Sequence, residues 1–120
     1  MSTFRDLKVY QKAFKLAMDI FNMTKSFPEE EKYGLTIQIR KSSRSVCSSI
    51  GEAYRKRKYP AHFVSKTTDA DMENSETQVW LDFSLSCKYI NKEIYQEYKE
   101  RSEEIGKMLN HMIENPDKYE

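Results

Sequence analysis

The chain has 120 residues, which is enough for one domain with a hydrophobic core and too few for two. Its 20 Lys and Arg residues nearly balance 19 Asp and Glu, so any basic patch must be local. Residues 1–6 lack the basic start and apolar run of a signal peptide, and no stretch approaches the ~18 apolar residues that a membrane span needs. We therefore expect one cytoplasmic domain over residues 1–120 that does not enter a membrane.

Hydrophobic periodicity predicts four helices, and three prolines separate them: Pro28, Pro60 and Pro116. The predicted helices run over about residues 6–25, 29–57, 61–89 and 92–113. Asp6 is the expected N-cap of the first, and Pro28 with three following glutamates is typical of the first turn of the second. Four helices with short connections predict an all-α, up-down-up-down antiparallel four-helix bundle without a sheet.

The apolar stripes of these helices predict the core. Its expected members are Leu7, Phe14, Phe21, Leu35, Ile39, Val46, Ile50, Leu81 and Leu109. Cys47 and Cys87 have no CxxC companion, so both are interpreted as small buried hydrophobic residues, with a reactive thiol as the alternative. The serines of the second helix either make room for neighbouring aromatic side chains or form a subunit contact. The Thr and Ser residues on the inner face of the third helix also favour some contact with another subunit.

A dense run of basic residues lies on the second helix, off its apolar stripe. Arg40, Lys41, Arg44, Arg55 and Lys58 span ~27 Å of helix at 1.5 Å per residue, comparable with several nucleotides of nucleic-acid backbone. The expected nucleic-acid-binding residues are Arg40, Lys41, Arg44, Arg55, Lys56, Arg57, Lys58 and Tyr59, with the tyrosine available to stack on a base. The alternative is a solvated face, or one neutralised by Asp69, Asp71 and Glu73.

Three sequence elements carry a resemblance to a known family. They are Phe4-x-Asp6-Leu7-x-Val9-x-Gln11-Lys12-Ala13, Phe27-Pro28-x-x-Glu31-x-Tyr33-Gly34-Leu35-x-x-Gln38-x-Arg40 and Ser45-Val46-x-x-Ser49-Ile50-Gly51-Glu52-Ala53. Together they resemble the 23S ribosomal RNA intervening-sequence proteins, a four-helix-bundle family that includes the accessory variability protein of diversity-generating retroelements. The resemblance implies an up-down bundle, ring-like homopentamers and, in the retroelement branch, a basic surface that engages a reverse transcriptase and nucleic acid. The chain departs from the usual Asn-Ile-Ala-Glu-Gly at Ser49–Ala53 and keeps Glu52 and, on the third helix, Glu76.

Catalytic and metal chemistry find little support in the sequence. Glu52 and Glu76 are a conceivable carboxylate pair, but a di-iron site needs Glu-x-x-His, and neither His62 nor His111 follows a glutamate at that spacing. We interpret both glutamates as structural polar residues paired with basic groups, for which Arg40 and Arg44 are candidates. The glycines are isolated, so no phosphate loop is indicated, and neither histidine is placed to activate a nucleophile. We expect no enzymatic activity, no metal and no cofactor.

Two classes of function remain open. One is a non-enzymatic module that binds RNA or DNA, or a nucleic-acid enzyme, through the basic face of the second helix. The other is a protein-interaction scaffold without nucleic-acid binding. In either case exposed aromatic residues such as Tyr33, Tyr54 or Trp80 predict a homo-oligomer, and the resemblance implies a pentamer.

Overall fold

A computed structural model of the protein describes residues 2–119. Four α-helices account for most of this part of the chain: α1 is Lys8–Met23, α2 is Leu35–Arg55, α3 is Pro60–Ser86 and α4 is Lys92–Glu114. Each helix packs on the next, and α1 also packs on α4, which closes a bundle of 44 × 24 × 23 Å. The all-α four-helix fold is confirmed, and residues 2–119 contain no strand.

Two predicted helix starts are wrong, because short 3-10 turns precede the α-helices. Asp6 does not cap α1. Its carboxylate accepts a hydrogen bond from the Thr3 backbone N–H at 2.8 Å, in the capping box of a 3-10 turn at Phe4–Asp6. A second 3-10 turn, Glu29–Glu31, precedes α2. The Glu31 carboxylate then reaches forward and accepts the Leu35 backbone N–H at 3.1 Å, so α2 begins six residues later than predicted.

The core agrees with the prediction on α2 and differs on α1. Ile39 and Ile50 are fully buried, as are Leu81 and Leu109, and Leu35 and Val46 are buried as well. Phe14 was expected in the core but is 50% exposed, and Leu7 and Phe21 are only partly buried. Helix α1 carries two adjacent apolar stripes, and the one that faces the core is Val9, Ala13, Leu16, Ala17 and Ile20.

Small and polar residues bring α2 and α3 close together. The hydroxyls of Ser42 on α2 and Thr77 on α3 lie 2.8 Å apart, and both residues are almost completely buried. Each hydroxyl also lies near a carbonyl of its own helix, Ser42 at 3.3 Å from Ile39 and Thr77 at 2.9 Å from Glu73, so one hydroxyl donates across the pair and the other donates to its carbonyl. These buried serine and threonine groups therefore serve contacts inside the subunit.

A buried amide network joins α3 to α4. The Asn74 side chain donates to the Ser102 carbonyl at 2.8 Å and accepts the Ser102 hydroxyl at 2.9 Å. Gln78 donates to the same hydroxyl at 3.0 Å. Gly106 makes room for this network, because a Cβ there would lie 3.3 Å from the Asn74 amide nitrogen. The network fixes the register of α3 against α4.

The two cysteines differ in environment. Cys47 is buried, as predicted, and its burial raises the pKa of the thiol to about 11. Cys87 is exposed, contrary to the prediction, because α3 ends at Ser86 and the chain turns through Lys88 with a φ of 65°. Among residues 2–119, no helix combines the length and apolar character required to cross a membrane.

Candidate nucleic-acid interface

Most basic residues of the predicted nucleic-acid-binding run lie on the solvent side of α2. Ile39, Val46 and Ile50, on the opposite side of the helix, are buried in the core. Four of the predicted nucleic-acid-binding residues lie on the helix itself: Arg40, Lys41, Arg44 and Arg55. Lys56, Arg57 and Lys58 lie in the turn after it, and Tyr59 is the N-cap residue of α3. The predicted run therefore divides into a stripe on α2 and a basic turn at its carboxyl end.

Arg40 is braced against the rest of the fold. It is half-buried, and its Nε donates to the Thr24 hydroxyl at 2.7 Å while its Nη2 donates to the Phe21 carbonyl at 3.2 Å. Its guanidinium carbon also lies 4.6 Å from the centroid of the Phe21 ring. Arg40 thereby satisfies a carbonyl at the carboxyl end of α1, where a cation is electrostatically favoured. We therefore assign Arg40 a structural role, which is to join α2 to the end of α1.

Arg57 is engaged in a similar way in the basic turn. Its Nε donates to the Tyr54 carbonyl at 2.9 Å, and its guanidinium carbon lies 3.6 Å from the Tyr54 ring centroid. The Tyr54 hydroxyl in turn lies 2.9 Å from the Ser2 hydroxyl. Tyr54 is therefore only partly exposed, and this end of the basic run is tied to the N-terminal segment.

The other basic residues of the run are exposed. Within residues 2–119, no carboxylate oxygen lies within 4 Å of a side-chain nitrogen in any of its seven basic residues: Arg40, Lys41, Arg44, Arg55, Lys56, Arg57 and Lys58. Asp69 instead approaches Lys66, at 3.8 Å. Burial and the neighbouring Glu76 raise the pKa of Glu73, and the charge of Lys41 acts in the opposite direction. The basic stripe therefore acts on a carboxylate of α3 through its charge, without an ion pair between them among the described residues.

The amino-terminal half of α2 contributes to a groove of about 600 Å³, here called the basic groove. Its nine lining residues are Lys32, Tyr33, Thr36, Ile37, Arg40, Lys41, Arg44, Ser45 and Ser48, and none of these is acidic. Tyr33 is 81% exposed and Ile37 is 46% exposed. Lys32, Tyr33 and Ile37 were not among the predicted site residues, although Tyr33 and Lys32 are close to the basic run in sequence. Tyr59, the predicted stacking residue, is 59% exposed at the opposite end of α2.

A second groove, of about 640 Å³, lies between α1 and α2 and is here called the apolar groove. Phe4, Tyr10, Phe14, Ala17 and Met18 form most of one wall. The α2 wall contains Cys47, Ser48 and Gly51, with Arg44, Glu52 and Arg55 at charged positions. Arg44 lines both grooves and therefore lies on the ridge between them.

The two predicted structural carboxylates do not form a pair. Glu52 binds Lys66 on α3, with 2.9 Å between Oε2 and Nζ, and this hydrogen bond raises the pKa of Lys66. The suggested partners Arg40 and Arg44 are not used. Glu76 is exposed on α3. Because both partners of the Glu52–Lys66 pair are substantially exposed, the pair adds little to stability.

Comparison with known proteins places this geometry in a family. A solved structure of a protein of unknown function, described as from the S23 ribosomal protein family of Bacteroides thetaiotaomicron, superposes with a TM-score of 0.79. The two chains are 30% identical, and the match covers 88% of this chain and 95% of the other. No curated protein matches the chain. The family model described as 23S rRNA-intervening sequence protein matches residues 5–111. The chain belongs to the family of 23S rRNA-intervening sequence proteins.

Proposed function

We propose that the protein is a non-enzymatic, cytoplasmic module that binds RNA or DNA through the exposed cations of α2 and acts as a homo-oligomer, a pentamer by family resemblance. The observation that carries the proposal is the basic groove. Three exposed cations, Lys32, Lys41 and Arg44, line it beside an exposed aromatic ring, and no lining residue is acidic.

Electrostatics support phosphate as the ligand group. The whole chain has a formal charge of only +1, so long-range attraction to a polyanion is weak. Local attraction is strong, because the exposed cations of residues 40–58 have no carboxylate within 4 Å among the described residues. A phosphate would therefore displace loosely held counterions from these side chains without first breaking an ion pair.

The apolar groove favours a protein contact, and we assign it to a second copy of the chain. The complementary surface is a stripe on α3, where Met72, Val79 and Phe83 are 65%, 44% and 53% exposed. Their spacing places them on one face of the helix, and the exposed carboxylates of Asp69 and Glu76 lie along one side of this stripe. An apolar stripe with acids beside it complements an apolar groove that carries two arginines and Glu52, since Glu52 is already paired with Lys66.

The protein-interaction scaffold is the second candidate function, and the apolar groove is the observation that favours it. Substitution of Phe14 or Phe83 by Ser tests the subunit contact. Light scattering at micromolar concentration should show a smaller particle for either variant. Ile37→Ser is the matched control, because Ile37 is similarly exposed but lies outside both proposed contact faces. A wild-type protein that is monomeric at this concentration would refute the oligomer.

The nucleic-acid proposal is tested by Lys41→Glu together with Lys58→Glu, because both residues are exposed and neither lines the apolar groove. This double variant should bind a labelled oligonucleotide much more weakly while it keeps its helical circular dichroism and its oligomer size. Lys92→Glu together with Lys107→Glu makes the same change of net charge on exposed positions of α4, and it should bind nearly as well as the wild type.

Two other outcomes would contradict the proposal. Unchanged binding by the Lys41 and Lys58 double variant would favour the scaffold. Dissociation of the oligomer would show that these lysines pair with carboxylates between subunits, since removal of one partner of a buried pair costs roughly 3–5 kcal/mol.

A further inference from the structure

Tyr33 has the highest exposure of any large hydrophobic side chain in the described residues, at 81%. The bundle packs its other large rings at least partly, so a ring displayed this openly has no role in the core. It lies in the turn between the 3-10 turn Glu29–Glu31 and α2, at the mouth of the basic groove. A displayed aromatic ring beside cations is a surface suited to a flat ligand.

The backbone that carries Tyr33 is held on both sides. Before it, the Glu31 carboxylate accepts the Tyr89 hydroxyl at 2.9 Å and the Leu35 N–H at 3.1 Å. After it, the Gly34 N–H donates to the Glu31 carbonyl at 2.9 Å, and the Gly34 carbonyl accepts the Gln38 N–H at 3.1 Å. A Cβ at Gly34 would lie 2.8 Å from the Glu31 carboxylate oxygen, so any other residue there would displace the carboxylate that holds this turn. The ring is therefore presented from a fixed backbone, which lowers the entropy lost when a ligand stacks on it.

The groups around Tyr33 suit a nucleotide. The Lys32 ammonium lies 5.5 Å from the centroid of the Tyr33 ring, and Lys41 and Arg44 continue the groove along α2. Ile37, 46% exposed, adds an apolar surface beside the ring. The amino end of α2 is not open to an anion, because Glu31 already caps it. Phosphates would thus be bound by the side-chain cations and a base by the ring.

We infer that Tyr33 is a base-stacking platform and that the ligand of the basic groove is single-stranded nucleic acid. The inference rests on the proposed function, since it assigns a ligand class to the same groove. A protruding side chain stacks on a base only when that base is unstacked from its neighbours, as in single strands, loops and ends. Stacking on an aromatic side chain accepts any base, so little sequence preference is expected.

The test compares three labelled ligands of about 12 nucleotides by fluorescence anisotropy: an oligothymidylate, a strand of the same length with abasic sugars, and a duplex. The wild type should bind the oligothymidylate roughly 5- to 150-fold more tightly than the abasic strand, the range that one stacked base gives. Tyr33→Ala should remove most of this preference and leave binding to the abasic strand unchanged. Tyr33→Trp should keep or increase the preference.

Tyr59→Ala is the matched control, because Tyr59 is the exposed tyrosine at the other end of α2. It should leave the preference intact. Equal affinity of the wild type for the abasic strand and the oligothymidylate, or tighter binding of the duplex, would overturn the stacking assignment while the proposed function stands. Loss of the preference in Tyr59→Ala alone would also overturn it, as would dissociation of the oligomer in Tyr33→Ala. Failure of the wild type to bind any of the three ligands would instead overturn the proposed function.

Discussion

Arg40 is the basic residue of α2 whose removal should affect the fold more than the binding. We expect Arg40→Ala to lower the free energy of unfolding, because it removes two hydrogen bonds from a charged donor to the end of α1. These bonds join Nε to the Thr24 hydroxyl at 2.7 Å and Nη2 to the Phe21 carbonyl at 3.2 Å. The adjacent Lys41 is exposed and has no ion pair within the described chain, so it serves as the matched comparison.

The magnitude follows from these contacts. Hydrogen bonds from charged groups contribute about 1.5–3 kcal/mol each when buried, and the half-exposed position of Arg40 favours the lower end. Its stacking over Phe21, at 4.6 Å, adds about 0.5–1 kcal/mol. Because the three contacts share one side chain, their effects are not additive, and we expect a loss of about 2 kcal/mol. For a chain of 120 residues this lowers Tm by roughly 8 °C.

Urea unfolding followed by circular dichroism measures this loss, with all variants at one protein concentration because an oligomer unfolds in a concentration-dependent way. Arg40→Lys should recover less than half of it, since an ammonium group cannot donate in the geometry of both bonds. Lys41→Ala should stay within about 0.5 kcal/mol of the wild type. An Arg40→Ala protein as stable as the wild type, or a Lys41→Ala protein that is equally destabilised, would refute the assignment of Arg40 as structural.

Three further predictions concern polar groups and thiols in the bundle. Asn74→Ala leaves the buried Ser102 hydroxyl and carbonyl without their amide partner and should cost about 2–3 kcal/mol in urea unfolding, whereas a loss below 0.5 kcal/mol would mean that the network is dispensable. An aromatic disulfide reagent at pH 8 should modify the exposed Cys87 first, and Cys47, whose burial raises the pKa to about 11, only on unfolding; equal rates in the native protein would contradict this. Burial raises the pKa of Asp71, so its ionised form opposes folding. Asp71→Asn should therefore raise the urea midpoint at pH 7. This gain in stability should vanish below the ordinary pKa of 3.8, where the carboxyl group is protonated in both the folded and the unfolded state.

The sequence predicted α2 well because its apolar residues have one clear helical period. Ile39, Val46 and Ile50 all lie in the core. On α1 the same reasoning failed for Phe14, because two apolar stripes lie side by side and periodicity alone does not show which one faces the bundle. The start of α2 was misplaced because its cap comes from the side chain of Glu31, which a pattern of acidic residues does not distinguish from an ordinary first turn.

The sequence predicts the candidate site as one run of basic residues. In the structure these residues differ in burial and in their hydrogen bonds. Arg40 and Arg44 are one helical turn apart, and the pattern treats them alike. Only the position of the end of α1 shows that Arg40 is bonded to the fold and that Arg44 is exposed. The sequence predicts Tyr33 as an exposed aromatic residue but not as part of the site, because its place beside Lys41 and Arg44 depends on the turn that precedes α2.

The salt dependence of binding tests most directly whether the cations of the basic groove contact phosphates. Anisotropy titrations of the oligothymidylate at several potassium chloride concentrations should give a straight line of log affinity against log salt with a negative slope. Lys41→Ala should reduce the magnitude of that slope by about 0.7, the value for one phosphate contact on a single strand, and Lys107→Ala on α4 should not change it. An affinity independent of salt, or a Lys41→Ala slope equal to that of the wild type, would contradict a role for these cations in nucleic-acid binding.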